Sequence, residues 1–540
     1  MKYKFINCIA ILLLAQLTLY VILSTQVYAK ESSQVLPTAE ENTFDIWEYR
    51  IEGNTLLDST QIEKAVYGFL GPDKSLEVVE QARTSLEERY HAIGFATVLV
   101  DIPEQQVESG IIRLKVTEAS IQRVKVSGSR YFSNRRIKSL VPSLQKEQVP
   151  DINEVQNDLA LLNARSRDRS ITPVLRPGKT PGTVEMELKV KDESPLHYSL
   201  ELNDRNTPDT TDYRLNASLS YDNLWQKEHS ATISYQTSPK DRNEVDVWSL
   251  NYLYKPENSK NLLLFYAVDS ESDVATIGDL SVIGNGKIFG SRFIAPLIPS
   301  GNIYHNIVAG FDYKDFDDSI LLGGISSPEL GQAIEYGTFS LAYGGTVLHE
   351  NSMPTNFNFA TNFGVRGIYN NEPEFEDKRA GSDPNFIYFT GNINKDFELV
   401  SDYHLHSKVA GQFSGSPLIS NEQYSLGGVD SVRGYLESDV LVDFGINTSM
   451  ELRSPILFEQ QYKWVNHVQL FSFVDWATGE IRDALPEQAS SFDLLGVGAG
   501  VRFTLRNDFE GSLSWARPLK ETNSTEKDDD RMHFSVKYHR

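Results

Sequence analysis

Arg433 and Asp475 are the two residues whose types and surroundings best suit a specific polar contact. Three glycines, Gly427, Gly428 and Gly434, surround the arginine, and glycine permits backbone turns that other residues resist. An arginine at the tip of such a turn presents five donors in a fixed fork, which suits a carboxylate in a confined place. Asp475 interrupts an apolar run further along the chain and is the candidate partner. A glycine-rich surface turn with a solvated arginine is the alternative.

The elements that must position this pair are predicted to be β-strands. After Pro195, segments of about ten residues alternate between apolar and polar side chains, a period typical of strands with one apolar face. The clearest segments are 213–222, 230–236, 356–365 and 531–539. Short turns alternate with longer polar loops, among them 414–440, which is the pattern of a membrane barrel. We therefore predict that residues 195–540 form a transmembrane antiparallel β-barrel of about 16 strands.

Strand parity predicts the direction in which Asp475 points. Asp475 shares one face of its strand with Phe471 and Phe473, and Leu470 and Val474 lie on the other face. A charged side chain on the lipid face of a barrel is destabilising, so we expect Asp475 to face the interior. A barrel of about sixteen strands encloses a lumen wide enough for an aqueous channel or a plug.

Residues 45–118 and 119–192 show the same predicted order of elements, β-α-α-β-β. Each stretch contains apolar residues at helical spacing, flanked by strands rich in branched apolar residues. A period of about 70 residues that occurs twice indicates an internal duplication of modules. The edge strand of such a sheet can accept an extended partner chain, so recognition is the predicted role. An inert spacer is the alternative.

The N-terminus has the features of a secretory signal peptide. Two lysines precede an almost uninterrupted apolar run from Ile9 to Leu23, and the small residues near Ala29 suit cleavage. Residues 1–29 are therefore predicted to be a signal peptide, and 30–44 a flexible segment. A retained membrane anchor is the alternative, because the apolar run is nearly long enough to span a bilayer.

Composition and motifs exclude several kinds of chemistry. The net charge of −23 argues against a nucleic-acid partner, which requires clustered lysine and arginine. The only cysteine, Cys8, lies in the predicted signal peptide, so disulfides and thiolate sites are excluded from the mature chain. His404 and His406 have no third ligand at metal spacing, and no hydrolase, nucleotide-binding or zinc-protease motif occurs. We predict no catalytic residue, no metal site and no cofactor.

Together these features resemble a superfamily of outer-membrane proteins that insert or export polypeptides. The two modules resemble its POTRA domains, and Phe473-Val474-Asp475 resembles its signature on the inner barrel wall. The signature of its sixth outer loop is matched by Gly427, Gly428, Val432, Arg433, Gly434 and Tyr435. Two POTRA modules, together with residues 203–239 and 451–455, resemble the TpsB transporters of two-partner secretion, the ShlB, FhaC and HecB proteins.

This resemblance implies a transporter in the outer membrane of a Gram-negative cell, with its POTRA domains in the periplasm. Loop 414–440 would fold into the lumen and carry Arg433 to Asp475. The POTRA edges would bind one secreted TpsA-like exoprotein, which is an adhesin, a haemolysin or cytolysin, or a contact-dependent toxin. Outer-membrane lipids and, during biogenesis, the barrel-assembly machinery are the other implied partners. An outer-membrane or autotransporter assembly factor is one alternative, and a passive porin or surface adhesin is another.

Both ends of the sequence depart from the TpsB pattern. TpsB proteins usually have an N-terminal plug helix and a longer linker, whereas the stretch from Lys30 to Thr43 would span about 20 Å if helical. Barrels of this class commonly end on an aromatic residue, whereas His539 and Arg540 follow Tyr538 here. The sequence therefore does not decide whether a plug helix is present.

Overall fold

The computed structural model describes residues 43–540, apart from 108, 209, 258, 273, 278–279, 318–319, 323–324, 328–332, 351, 459–463 and 487. The predicted signal peptide, 1–29, and residues 30–42 of the predicted flexible segment lie outside the described residues. The described residues form two compact units, of which the first contains 43–123 together with 143–155 and 176–185, and the second contains the remainder. Within the described ranges, no helix combines the length and the apolar character needed to cross a membrane.

The first module consists of five short strands and two helices. The strands are β1 (Phe44–Ile46), β2 (Glu48–Glu52), β3 (Gly71–Lys74), β4 (Val98–Asp101) and β5 (Ile111–Glu118), and the helices are α1 (Ser59–Val66) and α2 (Leu76–Ala92). β5 pairs in parallel with β2 and antiparallel with β4, while β1 and β3 form a separate ribbon that the predicted order lacks. Every third or fourth residue of α2 faces the core, because these positions share one side of a helix. They are Val79, Ala82, Leu86 and Tyr90.

The second module has three strands and two helices. They are β6 (Ser120–Ser127), α3 (Asn134–Ser139), α4 (Ile152–Ala164), β7 (Arg169–Pro177) and β8 (Thr183–Asp192). The sheet order is β6-β8-β7, so β6 and β7 are its edges. At the end of β8, the carboxylate of Asp192 accepts the backbone N–H groups of Arg130 and Tyr131 at 2.9 and 2.8 Å. This carboxylate therefore fixes the turn that follows β6.

The remainder of the chain forms a closed antiparallel barrel of sixteen strands, which confirms the predicted fold class. Its strands are β9 (Leu196–Asn203), β10 (Arg214–Leu224), β11 (His229–Thr237), β12 (Asp246–Tyr254), β13 (Leu262–Glu271), β16 (Gly286–Pro296), β17 (Ile303–Phe316), β20 (Ile334–His349), β21 (Ser352–Gly364), β22 (Ile387–Glu398), β23 (His404–Ser414), β26 (Phe444–Arg453), β27 (Val465–Glu480), β28 (Ser491–Leu505), β29 (Phe509–Pro518) and β30 (Arg531–His539). The loops contain β14 (Val274–Ile277), β15 (Leu280–Ile283), β18 (Ile320–Leu322), β19 (Ile325–Ser327), β24 (Tyr424–Leu426), β25 (Val440–Val442) and α5 (Glu372–Lys378). β30 pairs with β9, and this pairing closes the barrel.

The two faces of each barrel strand differ in the expected way. On β27, Leu470 and Val474 are about half exposed on the outer surface, whereas Phe471, Phe473 and Asp475 are buried in the interior. Because side chains alternate along a strand, an apolar outer surface and a polar lumen follow from one sequence period.

Two outer loops fold inward and pack against the outer ends of strands β12 to β22 in an apolar cluster, which we call the outer cluster. The loops contribute three residues to this cluster, which are Phe375 of α5 and Leu418 and Ile419 of the loop after β23. The outer ends of the barrel strands supply its other members, which are Val245, Val247, Val268, Ile288, Phe316, Ile334, Tyr336, Phe386 and Tyr388. Apolar packing of this kind excludes water, so the outer cluster holds both loops against the inner wall on this side of the barrel.

Candidate functional site

The loop between β23 and β26 folds into the lumen as a small hairpin. Its strands β24 and β25 pair from Tyr424–Val442 to Leu426–Val440. Gly428, at the first turn, has φ of +93°, and a Cβ atom there would lie 2.2 Å from Oε2 of Glu437. The positive φ angle therefore favours glycine at this position, and a larger residue would also have to displace the Glu437 carboxylate. We call residues 415–443 the in-folded loop.

Arg433 at the tip of the in-folded loop binds Asp475 on β27 through two parallel hydrogen bonds. Arg433 Nε donates to Asp475 Oδ2 at 2.6 Å, and Nη2 donates to Oδ1 at 2.9 Å. The backbone N–H of Arg433 also donates to Oδ2, at 3.1 Å. Arg433 is 6% exposed and Asp475 is 1% exposed. A fork-to-fork pair fixes orientation as well as distance, so the loop tip has one defined position.

Glu451 on β26 also binds Arg433 and is not among the site residues that the sequence predicts. Its Oε2 accepts Arg433 Nη1 at 2.6 Å. Arg502 on β28 donates to the two Glu451 oxygens at 2.5 and 2.9 Å, and Arg453 Nε donates to Oε1 at 2.7 Å. Three guanidinium groups thus share two carboxylates, those of Glu451 and Asp475. We call these five residues the lumenal ion cluster.

Phe473 and Phe471 form an aromatic floor beneath the lumenal ion cluster. The guanidinium carbon of Arg433 lies 3.5 Å from the ring centroid of Phe473, and that of Arg502 lies 4.2 Å from the ring centroid of Phe471. A cation over an aromatic face is attracted by the ring quadrupole. The predicted site residue Phe473 therefore contacts Arg433 directly.

Glycines on β28 make room for this aromatic floor. A Cβ atom at Gly498 would lie 2.4 Å from Cζ of Phe473, and one at Gly500 would lie 2.5 Å from Cζ of Phe471. Real Cβ atoms do not approach that closely, so the two rings can occupy these positions only because β28 has glycine at 498 and 500.

The residues on either side of Arg433 anchor the loop tip by packing. Val432 and Tyr435 are fully buried, in an apolar cluster with Ala477 and Leu494 of the barrel wall. The Tyr435 hydroxyl donates to the Lys520 carbonyl at 2.7 Å. The structure thus brings Val432, Arg433, Tyr435, Phe473 and Asp475 together at one place on the wall. The three predicted glycines, Gly427, Gly428 and Gly434, all have positive φ angles and shape the turn.

A second bidentate ion pair, whose carboxylate is buried, joins the two outer loops. Arg379, which follows α5, donates to the two oxygens of Asp443 at 2.6 and 2.7 Å. Asp443 also accepts the backbone N–H groups of Leu418 at 2.9 Å and Arg482 at 2.7 Å, and it is fully buried. The sequence predicts loops here but gives no sign of this pair, because both partners lie in irregular segments.

Asp168, His197 and Asp222 form a group of three potential metal ligands near the start of the barrel. His197 Nε2 lies 2.8 Å from Asp168 Oδ1, and Arg167 Nη2 lies 2.9 Å from Asp222 Oδ2. Burial raises the pKa of the Asp168 carboxyl above its ordinary value, because desolvation disfavours the charged form. An arginine already supplies positive charge to this group, and the predicted absence of a metal site stays a prediction.

Two family models match the chain. "POTRA domain, ShlB-type" matches residues 44–119, and "Haemolysin secretion/activation protein ShlB/FhaC/HecB" matches residues 338–503, which include the in-folded loop and Asp475. The chain thus contains both a ShlB-type POTRA domain and the barrel region of a ShlB/FhaC/HecB-type transporter. It is therefore a non-enzymatic outer-membrane transporter of two-partner secretion, with POTRA domains in the periplasm. The family, function and location that the sequence predicts are confirmed.

Two named outer-membrane transporters are similar in sequence to most of this chain. The chain is 21% identical over 414 residues to "Outer membrane transporter CdiB" of Dickeya dadantii (strain 3937), an overlap of 73% of this chain and 69% of the relative. It is 23% identical over 485 residues to the protein of the same name from Escherichia coli O6:K15:H31 (strain 536 / UPEC), an overlap of 87% of this chain and 78% of the relative.

Three solved structures share the fold. CdiB from Escherichia coli superposes with a TM-score of 0.61 at 17% identity, over 95% of this chain and 93% of that one. CdiB from Acinetobacter baumannii gives a TM-score of 0.55 at 15% identity, over 97% of both chains. BamA from Haemophilus ducreyi lacking POTRA domains 1-3 gives 0.55 at 13% identity, over 92% of this chain and 100% of that one. At such low identities these likenesses concern the fold alone.

Proposed function

We propose that this ShlB-family transporter exports one large exoprotein, and that Arg433, Asp475 and Glu451 form a latch. The latch holds the in-folded loop across the lumen until the exoprotein arrives. The observation that supports it is the buried fork of Arg433, which donates to Asp475 at 2.6 and 2.9 Å and to Glu451 at 2.6 Å. A polypeptide can pass only when this loop moves, so these hydrogen bonds define the resting state.

The energetics of a buried ion pair suit a latch that must open. Removal of one partner of such a pair costs about 3–5 kcal/mol, because the other charge stays buried without compensation. The intact pair adds little net stability, since its attraction mainly offsets the desolvation of both groups. The pair therefore fixes the loop in one position and adds little to the free energy that is needed to release the loop. An arriving exoprotein can release the loop if its polar groups form hydrogen bonds with Arg433, Asp475 and Glu451 in place of those of the latch.

Capture of the exoprotein is assigned in this proposal to the POTRA modules predicted at 45–118 and 119–192. The sheet edges are β2 and β4 in the first module and β6 and β7 in the second. An extended chain can add to such an edge through backbone hydrogen bonds, which give affinity without a fixed sequence. The exoprotein is an adhesin, a haemolysin or cytolysin, or a contact-dependent toxin. Insertion into outer-membrane lipids by the barrel-assembly machinery belongs to the same proposal.

Replacement of Arg433 by Ala tests the latch. We expect Arg433→Ala to raise the resting conductance of the purified transporter in planar bilayers and to lower export, because Asp475 and Glu451 lose their shared partner. The matched control is Arg517→Ala, which removes a bidentate arginine pair with Asp530 at an exposed site on the same barrel. Wild-type conductance in Arg433→Ala would contradict the latch.

Removal of the first module tests capture. A variant that lacks residues 44–118 keeps the second module, most of which belongs to the same compact unit as the barrel. We expect the barrel to fold, as shown by heat-dependent migration on SDS gels, and one large exoprotein to disappear from the culture supernatant. Unchanged export would refute capture by this module. Loss of many outer-membrane proteins on depletion of the whole transporter would favour an assembly factor instead.

A further inference from the structure

The barrel closes through an incomplete seam between β9 and β30. The two strands pair only as far as Asn203 and Ser535, although β30 begins at Arg531. The outer part of β30 therefore extends beyond the end of β9. Asp204, the residue after β9, extends the contact by one residue, since its backbone N–H donates to the Phe534 carbonyl at 3.4 Å and its Oδ1 accepts the backbone N–H of Phe534 at 2.8 Å. The position of this one carboxylate thus affects how firmly the outer part of the seam is held.

His533 on β30 joins Asp204 to the tip of the in-folded loop. Its Nε2 accepts the backbone N–H of Gly434 at 3.0 Å, and its Nδ1 lies 2.9 Å from Asp204 Oδ2. A peptide N–H can only donate, so Nε2 carries no proton, and the neutral ring donates its Nδ1 proton to the carboxylate. His533 and Asp204 are both buried, so water does not compete for these bonds.

The segment after β9 makes two more contacts with the same loop. Arg205 Nη1 donates to Asp430 Oδ2 at 2.5 Å, and the backbone N–H of Glu437 donates to the Asn206 carbonyl at 3.0 Å. The loop tip therefore touches the seam on the side of β9 as well as on the side of β30.

The bond to His533 lies one residue away from the latch. Gly434 follows Arg433 directly, and its φ of +98° turns the chain at this point. Because Arg433 is held by Asp475 and Gly434 by His533, one short piece of backbone joins β27 to the seam. Movement of the tip must break both contacts.

We propose that His533 is a positioning residue that couples the latch to the barrel seam. The inference rests on the proposed function, in which the loop tip withdraws when an exoprotein passes. When Gly434 withdraws, His533 loses the donor that fixes its ring, and Asp204 loses the orientation that holds the outer part of β30. Loop release therefore loosens the seam, and the lumen widens when a chain needs the space.

Three substitutions of His533 separate this role from simple packing. The amide oxygen of Gln can reach the position of Nε2 and accept the Gly434 N–H, whereas Asn reaches only the position of Nδ1 and Ala reaches neither. In planar bilayers with the full-length protein, we expect large-conductance openings to be about fivefold more frequent in His533→Ala and His533→Asn, the factor expected for one net hydrogen bond. His533→Gln keeps an acceptor for the Gly434 N–H but has no donor at the position of Nδ1 for Asp204, so its openings should be as frequent as those of His533→Asn. Wild-type behaviour of either the Gln or the Asn variant would show that one contact suffices and would overturn the proposal.

A disulfide across the seam tests the coupling itself. Asn203 and Ser535 are cross-strand partners, and Cys8 is the only native cysteine, so Asn203→Cys/Ser535→Cys can be studied in a Cys8→Ser background. We expect oxidation to suppress the extra openings of His533→Ala and reduction to restore them. Openings that persist after oxidation would place the effect in the loop alone and overturn the coupling.

The outcomes separate this inference from the latch. If Arg433→Ala opens the channel and His533→Ala behaves as wild type, the latch stands and the coupling fails. If Arg433→Ala has no effect, the latch itself fails. Coupling further predicts that Arg433→Ala/His533→Ala opens less often than two independent effects would give, because both substitutions release one tip.

Discussion

Two arginine–aspartate pairs in this barrel have nearly the same geometry and very different surroundings. Arg433 reaches Asp475 at 2.6 and 2.9 Å, and Arg517 reaches Asp530 at 2.6 and 2.8 Å. The side chains of the first pair are 8% and 1% exposed, and those of the second are 41% and 39% exposed. Water replaces a lost partner at the exposed pair and not at the buried one. Burial, and not hydrogen-bond geometry, therefore distinguishes a latch from a surface contact.

The largest difference between the two pairs is expected from Asp475→Ala. It leaves Arg433 buried with Glu451 as its one carboxylate partner, and we expect the in-folded state to lose about 3–5 kcal/mol. The released tip exposes the Arg433 peptide bond, so limited trypsin digestion of the detergent-solubilised protein should cut there. Asp530→Ala is the matched control and should leave the loop protected. Protection in both variants would contradict the distinction.

A smaller effect is expected from Arg379→Ala in the second buried pair. Asp443 keeps the backbone N–H groups of Leu418 and Arg482 as donors, so its charge is only partly uncompensated. We expect the outer loops to be destabilised by about 1–3 kcal/mol. Resting conductance should rise less than in Asp475→Ala, and an equal or larger rise would show that the outer pair is the main closure.

Arg433→Lys should have a smaller effect still. Lysine keeps the positive charge but lacks the planar fork, so it cannot bind Asp475 and Glu451 with the same geometry. We expect a loss of about 1 kcal/mol for each hydrogen bond that is not replaced. The measurement is the conductance of Arg433→Lys against wild type and Arg433→Ala. An intermediate value is expected, and a value equal to that of Ala would mean that the charge contributes nothing without the fork.

No measurable effect is expected from Arg517→Ala. Its partner Asp530 is exposed, and solvent screens and replaces such a contact. Export, conductance and trypsin protection should all match wild type. A clear defect in any of them would show that bidentate geometry matters even where water is available, and the comparison of the two pairs would then fail.

The sequence predicts the barrel and the inward direction of Asp475 because both depend on a period of two. Alternation along β27 places Asp475 beside Phe471 and Phe473, whatever the neighbouring strands do. Gly428 is likewise visible from sequence, since few residues other than glycine fit a turn with positive φ. These features are local, and a single strand or turn carries each of them.

Glu451 and His533 are not predicted because their roles depend on register and on the path of a loop. Ser449 lies opposite Asp475 across β26 and β27, which brings Glu451 within reach of Arg433, and no periodicity reveals that offset. His533 belongs to the alternating pattern of the last strand, where it is one polar lumenal side chain among several. Its partner Gly434 lies far away in the sequence and meets it only when the loop folds inward.

Gly498 and Gly500 on β28 make the lumenal ion cluster sensitive to very small substitutions on the neighbouring strand. An alanine at Gly498 or Gly500 adds one carbon atom and no charge, yet that atom would lie only 2.4 Å from Cζ of Phe473 or 2.5 Å from Cζ of Phe471. The ring would tilt and push the guanidinium above it away from its carboxylates. A search for hyperactive or leaky alleles that considers only ionisable residues would therefore overlook methyl groups on the neighbouring strand.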